Sequence, residues 1–470
     1  MTLTGSALRS TRRIHLVGIA GAGMSALAKL LHQARGPHGE SPWVITGSDL
    51  RAGLELDSLA ALGIETWSGH RPTRMGGVEL VVASSAVPET DPELKAAAAA
   101  GVPVWKRPDL LSAITGAVRT IGATGTHGKT TTTAFLTLLT QALGIDPSFV
   151  TGGEMIELGT NAHYGPDPLL VLEVDEAFGT FEHLSLDGLV VTNVESEHLD
   201  YFGDVQSMEA AYARVAAAVA GPVLACVDDD GASRLALTTD ALTYGFHQDA
   251  NWRIESLALK PNAVDFELVG PRGRAVPVHI PQPGRHLAVN AAGALGLIAE
   301  LGYDPLRAVA GLTRFKGVKR RFELRGFLGG VTIIDDYAHH PTEVATTIAT
   351  GRLRLGEGTG ALVALFQPHL YSRTQALFHE FGEALAAADL AIVTDVYAAR
   401  ESPVPGVTGE LISIAVGNAG GEVVYVPHRA EVAAVVTARL RAGDLLLIMG
   451  AGDITLAATE IAEHLVRSRE

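Results

Sequence analysis

Cysteine is nearly absent from this chain: Cys226 is the only one in 470 residues, so no internal disulfide can form. That excludes a disulfide-stapled secreted scaffold and points to a reducing, cytoplasmic setting. Aromatic residues are scarce at 6% and charged residues reach only 19%, whereas apolar residues make up 47%. A disordered chain shows the opposite balance. Basic side chains are outnumbered, 36 against 52 acidic ones, for a formal charge of −16. The basic clusters, Arg9 to Arg13 and Lys316 to Arg325, are short. Such a field argues against nucleic acid as a partner, and any anionic ligand must be met by local donors. No uninterrupted apolar run of about 18 residues occurs, so no membrane span is expected. Arg9, Arg12 and Arg13 precede an apolar stretch containing Ala26-Leu27-Ala28, the pattern of a signal peptide. His15, Gly18, Gly21 and Gly23 interrupt it, and strand, glycine turn and helix describe it better.

The length allows two or three domains. Apolar strands alternate with helical stretches throughout, which is the rhythm of α/β folds with parallel sheets. Ile14 to Val17, Val44 to Thr46 and Leu80 to Ala83 read as strands of a Rossmann-like unit over residues 1–112. Asp91-Pro92 opens a helix with N-cap and first-turn proline in order, and Gly101 stops it. Residues 113–316 form a P-loop-like unit with a mostly parallel sheet. Its strands are Leu169 to Val174, Leu189 to Val194 and Val223 to Val227, and Ala288 to Leu301 is a helix. Val269 to Gly284, broken by proline and glycine, reads as irregular with antiparallel pieces. Residues 317–470 form a second Rossmann-like unit, with strands at Val331 to Ile334, Leu362 to Phe366, Ala391 to Thr394 and Leu445 to Met449. Polar residues follow each of these strands, and ligands of open α/β sheets lie beyond the strands' carboxyl ends.

Gly21-Ala22-Gly23-Met24-Ser25-Ala26 fits the glycine turn that lets a backbone approach a diphosphate, and Asp49 ends the next strand where an acidic residue meets a ribose. NAD and UDP-sugars both suit that pattern. Gly125-Thr126-His127-Gly128-Lys129-Thr130-Thr131 is more specific. Its amides form an anion nest, Lys129 can neutralise β- and γ-phosphates, and the Thr130 hydroxyl can bind Mg²⁺. It is not a strict Walker A loop, since Ala123 stands where the first glycine belongs. Glu173, Asp175 and Glu176 end one strand and Glu195, Glu197 and His198 the next, suited to Mg²⁺ or to positioning water. His339, His340, His369 and Arg373 follow strands of the last unit. Their spacing is not a zinc signature, and Arg373 suits a carboxylate.

Taken together, Gly18-Ile-Ala-Gly-Ala-Gly-Met-Ser25, Gly125-Thr-His-Gly-Lys-Thr-Thr131, Val191-Thr-Asn-Val-Glu195 with His198, and Gly317-Val-Lys-Arg-Arg-Phe-Glu323 resemble the Mur ligases. So do Asp335-Asp-Tyr-Ala-His-His-Pro341, Phe366-Gln-Pro-His369 with Tyr371-Ser-Arg-Thr374, and Met449-Gly-Ala-Gly-Asp453. The resemblance spans nearly the whole chain in order. It implies three domains, for UDP, for ATP, and for closure over both. It implies an ATP- and Mg²⁺-dependent enzyme, monomeric or homodimeric, that joins L-alanine to the lactyl carboxylate of UDP-N-acetylmuramate through an acyl phosphate. By position, Lys129, Glu173, His198, His339 and Arg373 would be catalytic, with Thr130, Glu173 and His198 at the metal. Gly125 to Thr131, His286, Asn290, Arg321 and Asp336 would hold ATP. Gly21, Ala22, Gly23, Met24, Asp49, Ser84, Ser85, Arg107 and Tyr337 would hold the UDP-linked substrate. Departures from the family pattern are Ala177 for Ser, Glu197 for Asp, Leu287 for Asn and Leu370 for Arg, and the last removes a cation near the amino-acid side. The competing readings are an oxidoreductase, which leaves the second phosphate loop unexplained, a non-catalytic nucleotide-binding regulator, and a ligase that re-attaches a recovered tripeptide.

Overall fold

A computed structural model of the chain describes residues 8, 11–35, 41–50, 52–399 and 401–467. Arg9 of the first basic cluster lies outside the described residues. Contacts divide the chain into two compact units. One comprises Met1–Leu257, Asp265–His279 and Ala288–Phe315, and the other Ala258–Val264, Ile280–Leu287 and Lys316–Glu470. The architecture is three-domain α/β, built on three mostly parallel sheets. No described helix is long and apolar enough to cross a membrane.

The first unit holds a five-stranded sheet and most of a ten-stranded one. The five strands are β1 (Arg13–Val17), β2 (Val44–Asp49), β3 (Glu65–Ser68), β4 (Leu80–Ala83) and β5 (Val104–Lys106), in the order β3-β2-β1-β4-β5 and all parallel. β3 and β5 are short and half-exposed, which hides them from a search for apolar runs. The helix Pro92–Ala99 starts as expected, with the Asp91 carboxylate accepting from the amides of Glu93 and Leu94. The ten strands are β6 (Arg119–Thr124), β7 (Ser148–Met155), β8 (Thr160–His163), β9 (Leu169–Glu173), β10 (Gly188–Val191), β11 (Val223–Cys226), β12 (Leu242–Gly245), β13 (Trp252–Lys260), β14 (Ala263–Val269) and β15 (Ala275–Ile280). Their order is β15-β14-β13-β12-β11-β10-β6-β9-β7-β8. β6 lies between β9 and β10, parallel to both, so the loops after these three strands share one edge. The segment expected to be irregular, 269–284, contains β15, whose burial alternates strictly along Ala275–Ile280.

The second unit carries β16 (Glu323–Leu328), β17 (Val331–Asp336), β18 (Leu362–Phe366), β19 (Leu390–Thr394), β20 (Val423–Val426) and β21 (Leu445–Met449), in the order β16-β17-β21-β18-β19-β20. All neighbours are parallel except β16 and β17. The strands read as continuous apolar runs because both faces are covered. Ile334, Ala364, Phe366, Leu447 and Met449 pack into one core, and Ile333, Val363, Leu365, Leu446 and Ile448 into the other.

Candidate active site

β6 runs into the loop 125–128, and the helix Lys129–Ala142 follows at once. The loop is held by the segment after β10. The His127 amide donates to Asn193 Oδ1 at 2.8 Å, and Asn193 Nδ2 and Thr192 Oγ1 donate to the His127 carbonyl at 3.1 and 2.5 Å. The Glu195 amide donates to Thr126 Oγ1 at 2.9 Å, and that hydroxyl donates to the Glu195 carbonyl at 3.2 Å. This closeness explains both glycines. Gly125 has φ +129°, and a Cβ there would stand 2.2 Å from Thr192 Oγ1; Gly128 has φ +80°, and a Cβ would stand 2.8 Å from Asn290 Oδ1. The helix is rich in buried threonines, and the hydroxyls of Thr137 and Thr140 turn back to carbonyls of Thr133 and Leu136 at 2.9 Å. That lets polar side chains lie in the core. Thr130 and Thr131, in the first turn, are buried.

Lys129 Nζ donates to the Gly125 carbonyl at 2.6 Å and to both oxygens of Glu176 at 2.9 Å. Burial favours a neutral lysine, but Glu176 and Asp175 outweigh it and hold the ammonium charged well past the usual range. Glu176 is 2% exposed; burial pushes its carboxyl up, and Lys129 opposes that shift. His198, at a left-handed φ of 55°, brings Nε2 to 3.8 Å from Glu176 Oε1. Glu176, Glu197 and His198 have ligand atoms within 4.8 Å of one another, a cluster able to hold a metal ion. The resemblance puts Thr130, Glu173 and His198 at the metal. In the structure Glu173 stands outside that cluster, accepting from the Gly152 amide at 2.6 Å and Thr151 Oγ1 at 3.2 Å.

The glycine turn after β1 opens the helix Ala22–Gln33. Asp49, at the end of β2, accepts from the Ala20 amide at 3.1 Å and thereby braces the turn. Arg107 lies across it, with Nη1 at 2.4 Å from where a Cβ on Gly23 would be. Arg107 Nη2 donates to Asp175 Oδ2 at 2.7 Å. Burial would raise the Asp175 carboxyl, but Arg107 and then Lys129 bring it below the usual range. Ser84 and Ser85 follow β4, and Ser85 Oγ is buried with no hydrogen-bond partner among the described residues. Gly23, Asp49 and Arg107, expected together, lie at this one turn, and the reach of Arg107 to Asp175 leaves no mark in the sequence pattern.

In the second unit the expected residues gather beyond the carboxyl ends of β17, β18, β19 and β21. Asp336 accepts from the amides of Phe322 and Ala338, each at 2.7 Å. Burial nonetheless pushes its carboxyl up to about 6, against the opposing pull of Arg321. The guanidinium groups of Arg320 and Arg321 lie 4.7 and 5.2 Å from the Tyr337 ring centre. His339 Nδ1 is 3.1 Å from Glu343 Oε2, and its ring stands edge-on to Tyr337 and His369. His369 stacks on Tyr397. Arg373 sits half-buried in the first turn of the helix Tyr371–Leu385. Leu370, just before it, has a φ of 72°. At the start of the helix Arg285–Glu300, burial and then Arg321 pull the His286 imidazole down to about 4. Its Nδ1 is buried with no hydrogen-bond partner among the described residues. Asn290, later in that helix, belongs to the first unit and stands against Gly128 of the phosphate loop.

Comparison with known proteins matches the chain to three consecutive family models. They are the Mur ligase family catalytic domain over residues 13–119, the Mur ligase middle domain over 123–298, and the Mur ligase glutamate ligase domain over 320–452. The UDP-N-acetylmuramate–L-alanine ligase of Mycolicibacterium vanbaalenii is 40% identical across 96% of this chain and 95% of its own length. The chain belongs to the Mur ligase family. The Thermobifida fusca enzyme of the same name is also 40% identical, over 96% of each chain. Among solved structures, the UDP-N-acetylmuramate–alanine ligase of Thermotoga maritima superposes with a TM-score of 0.82 at 27% identity, covering 97% of this chain and 100% of that one. Mur ligases are ATP-dependent, which fits the Lys129 loop.

Proposed function

We propose that this Mur ligase joins L-alanine to the lactyl carboxylate of UDP-N-acetylmuramate, converting ATP to ADP and phosphate, in the cytoplasmic assembly of the peptidoglycan precursor. The full-length relatives that share 40% of its sequence carry that name. The observation that carries the reading is the pair of anion-binding turns in one unit, each with its own cation: Arg107 at Gly23 and Lys129 at Gly125. A carboxylate is a poor electrophile. One of its oxygens attacks the γ-phosphorus, the bond to the β-phosphate oxygen breaks, and ADP leaves. The alanine amine then attacks the acyl carbon, phosphate departs, and the amine proton passes to a base. Loop amides and Lys129 offset the charge that develops on the transferred phosphoryl group.

Gly21, Ala22, Gly23, Met24, Asp49, Ser84, Ser85 and Arg107 take the UDP moiety, and Gly125 to Thr131 with Asn290 take the ATP phosphates. The unpartnered His286 Nδ1 suits a donor on the adenine. By position in the family, Arg321 and Asp336 are assigned to ATP, and Tyr337, His339 and Arg373 to the two carboxylates. Two carboxylates and a hydroxyl supply the hard oxygen ligands that Mg²⁺ takes, so Glu176, Glu197 and Thr130, with His198 beside them, are the residues that would hold it. When bound, Mg²⁺ supplies charge neutralisation of the phosphates.

The direct test is ADP release from ATP with UDP-N-acetylmuramate and a panel of amino acids and peptides. Release that requires both UDP-N-acetylmuramate and alanine supports the reading. Release with a tripeptide in place of alanine reassigns the chain to recycling. No release with any acceptor leaves a nucleotide-binding regulator.

A further inference from the structure

Asp175 and Glu176 are consecutive, yet they serve different cations. Glu176 gives both oxygens to Lys129. Asp175 accepts through Oδ2 from Arg107 at 2.7 Å and through Oδ1 from the Ala177 amide at 3.3 Å, so each oxygen has a partner on the Arg107 side or in its own turn. The ion pair is partly buried, with side chains 18% and 32% exposed. Arg107 starts the helix Arg107–Thr115 directly after β5 of the N-terminal sheet, whereas Asp175 follows β9 in the central one. The guanidinium therefore spans from the central strand end to the glycine turn, where its other amino group fills the space a Cβ on Gly23 would need.

A free arginine side chain samples many rotamers, and fixing it on ligand binding costs affinity. A carboxylate that accepts one amino group removes that cost and leaves the remaining donors aimed at whatever anion the turn holds. We propose that Asp175 is a positioning residue for the UDP-linked substrate, acting through Arg107, and that it is not one of the ATP-side carboxylates. The proposal rests on the reading of the glycine turn given above. It divides the Asp175-Glu176 pair between the two sites, one residue each.

The test compares wild type, Asp175→Asn, Arg107→Ala and the double variant by calorimetry, with UDP-N-acetylmuramate and a non-hydrolysable ATP analogue titrated separately. Asparagine keeps the shape and the bond from Ala177 but removes the charge. Asp175→Asn is expected to weaken UDP-N-acetylmuramate about tenfold, the scale of one charge-assisted contact. Its field also reaches Lys129, so an ATP-side change of less than about threefold is expected. In the Arg107→Ala background the same substitution should change UDP-N-acetylmuramate binding no further, a non-additivity that a general loss of stability would not produce. Equal or larger weakening of the ATP analogue would overturn the proposal, as would fully additive losses. If wild type binds the ATP analogue but no UDP-linked sugar, the reading of the turn fails and the proposal with it. Binding by wild type with an unaltered Asp175→Asn overturns the proposal alone.

Discussion

Lys129 illustrates how one residue joins stability to chemistry. Its ammonium is buried against Glu176, which is itself 2% exposed. Removing one partner of a buried pair strands the other charge, at a cost of about 3–5 kcal/mol. Lys129→Ala should therefore lose stability in denaturant as well as turnover, the latter by at least about a hundredfold, as expected when a charge-stabilising group is removed. Adding Glu176→Gln should restore most of the stability and none of the turnover, because it removes the stranded charge without replacing the cation. Urea unfolding beside the ADP-release assay checks both. A stable double variant with near-normal turnover would contradict the role given to Lys129.

At the scale of elements, the phosphate loop depends on a neighbour that local pattern does not reveal. Gly125 to Thr131 was legible because a strand, a glycine loop and a helix lie consecutively in the chain. Its support from Thr192 and Asn193 was not, because those contacts cross more than 60 positions of sequence. The motif around Asn193 was read as a strand end bearing ligands, while the structure also makes it the brace of the loop. Gly125→Ala tests the brace. The added methyl would meet Thr192 Oγ1 at 2.2 Å and the Asn193 carbonyl at 2.8 Å, on a backbone at φ +129°. The loop must move, so ATP affinity should fall at least about tenfold while the helix content stays, since strain of this kind costs on the order of 1–3 kcal/mol. Unchanged ATP affinity by calorimetry would show that the loop does not need this close approach. Glu173 is assigned to the metal by position in the family resemblance, whereas the cluster of Glu176, Glu197 and His198 forms beyond the strand end. β9 is buried on both faces as far as Leu172, so its apolar run marks where the strand ends but not which of the acidic residues after it meets Lys129. β15 was missed for a different reason. Pro277 breaks a ladder and argues against a central strand, but β15 is the terminal strand of its sheet order, where a proline is tolerated.

For the whole molecule, pH should act through buried groups of the second unit. His286 has a folded-state value of about 4 against a usual 6.5. The folded form keeps the ring neutral, so unfolding takes up a proton between those values. Its contribution to stability is full above about 6.5 and is lost as pH falls towards 4, amounting to about 1–3 kcal/mol after allowance for partial exposure. Asp336, raised to about 6, works the other way, with a contribution present below about 4 and lost as pH rises through 6. His286→Gln isolates the first effect: its melting temperature should fall less than that of wild type between pH 7.5 and 5. An identical fall in both proteins would contradict the burial assigned to His286.

In the proposed reaction, the turns at Gly23 and Gly125 bring a carboxylate and ATP together for phosphoryl transfer. UDP-N-acetylmuramate labelled with ¹⁸O in its lactyl carboxylate, turned over with ATP, Mg²⁺ and L-alanine, tests it most directly. In-line attack on the γ-phosphorus predicts one labelled oxygen in the released phosphate and none in ADP. Unlabelled phosphate, or label in AMP with pyrophosphate released, would contradict it.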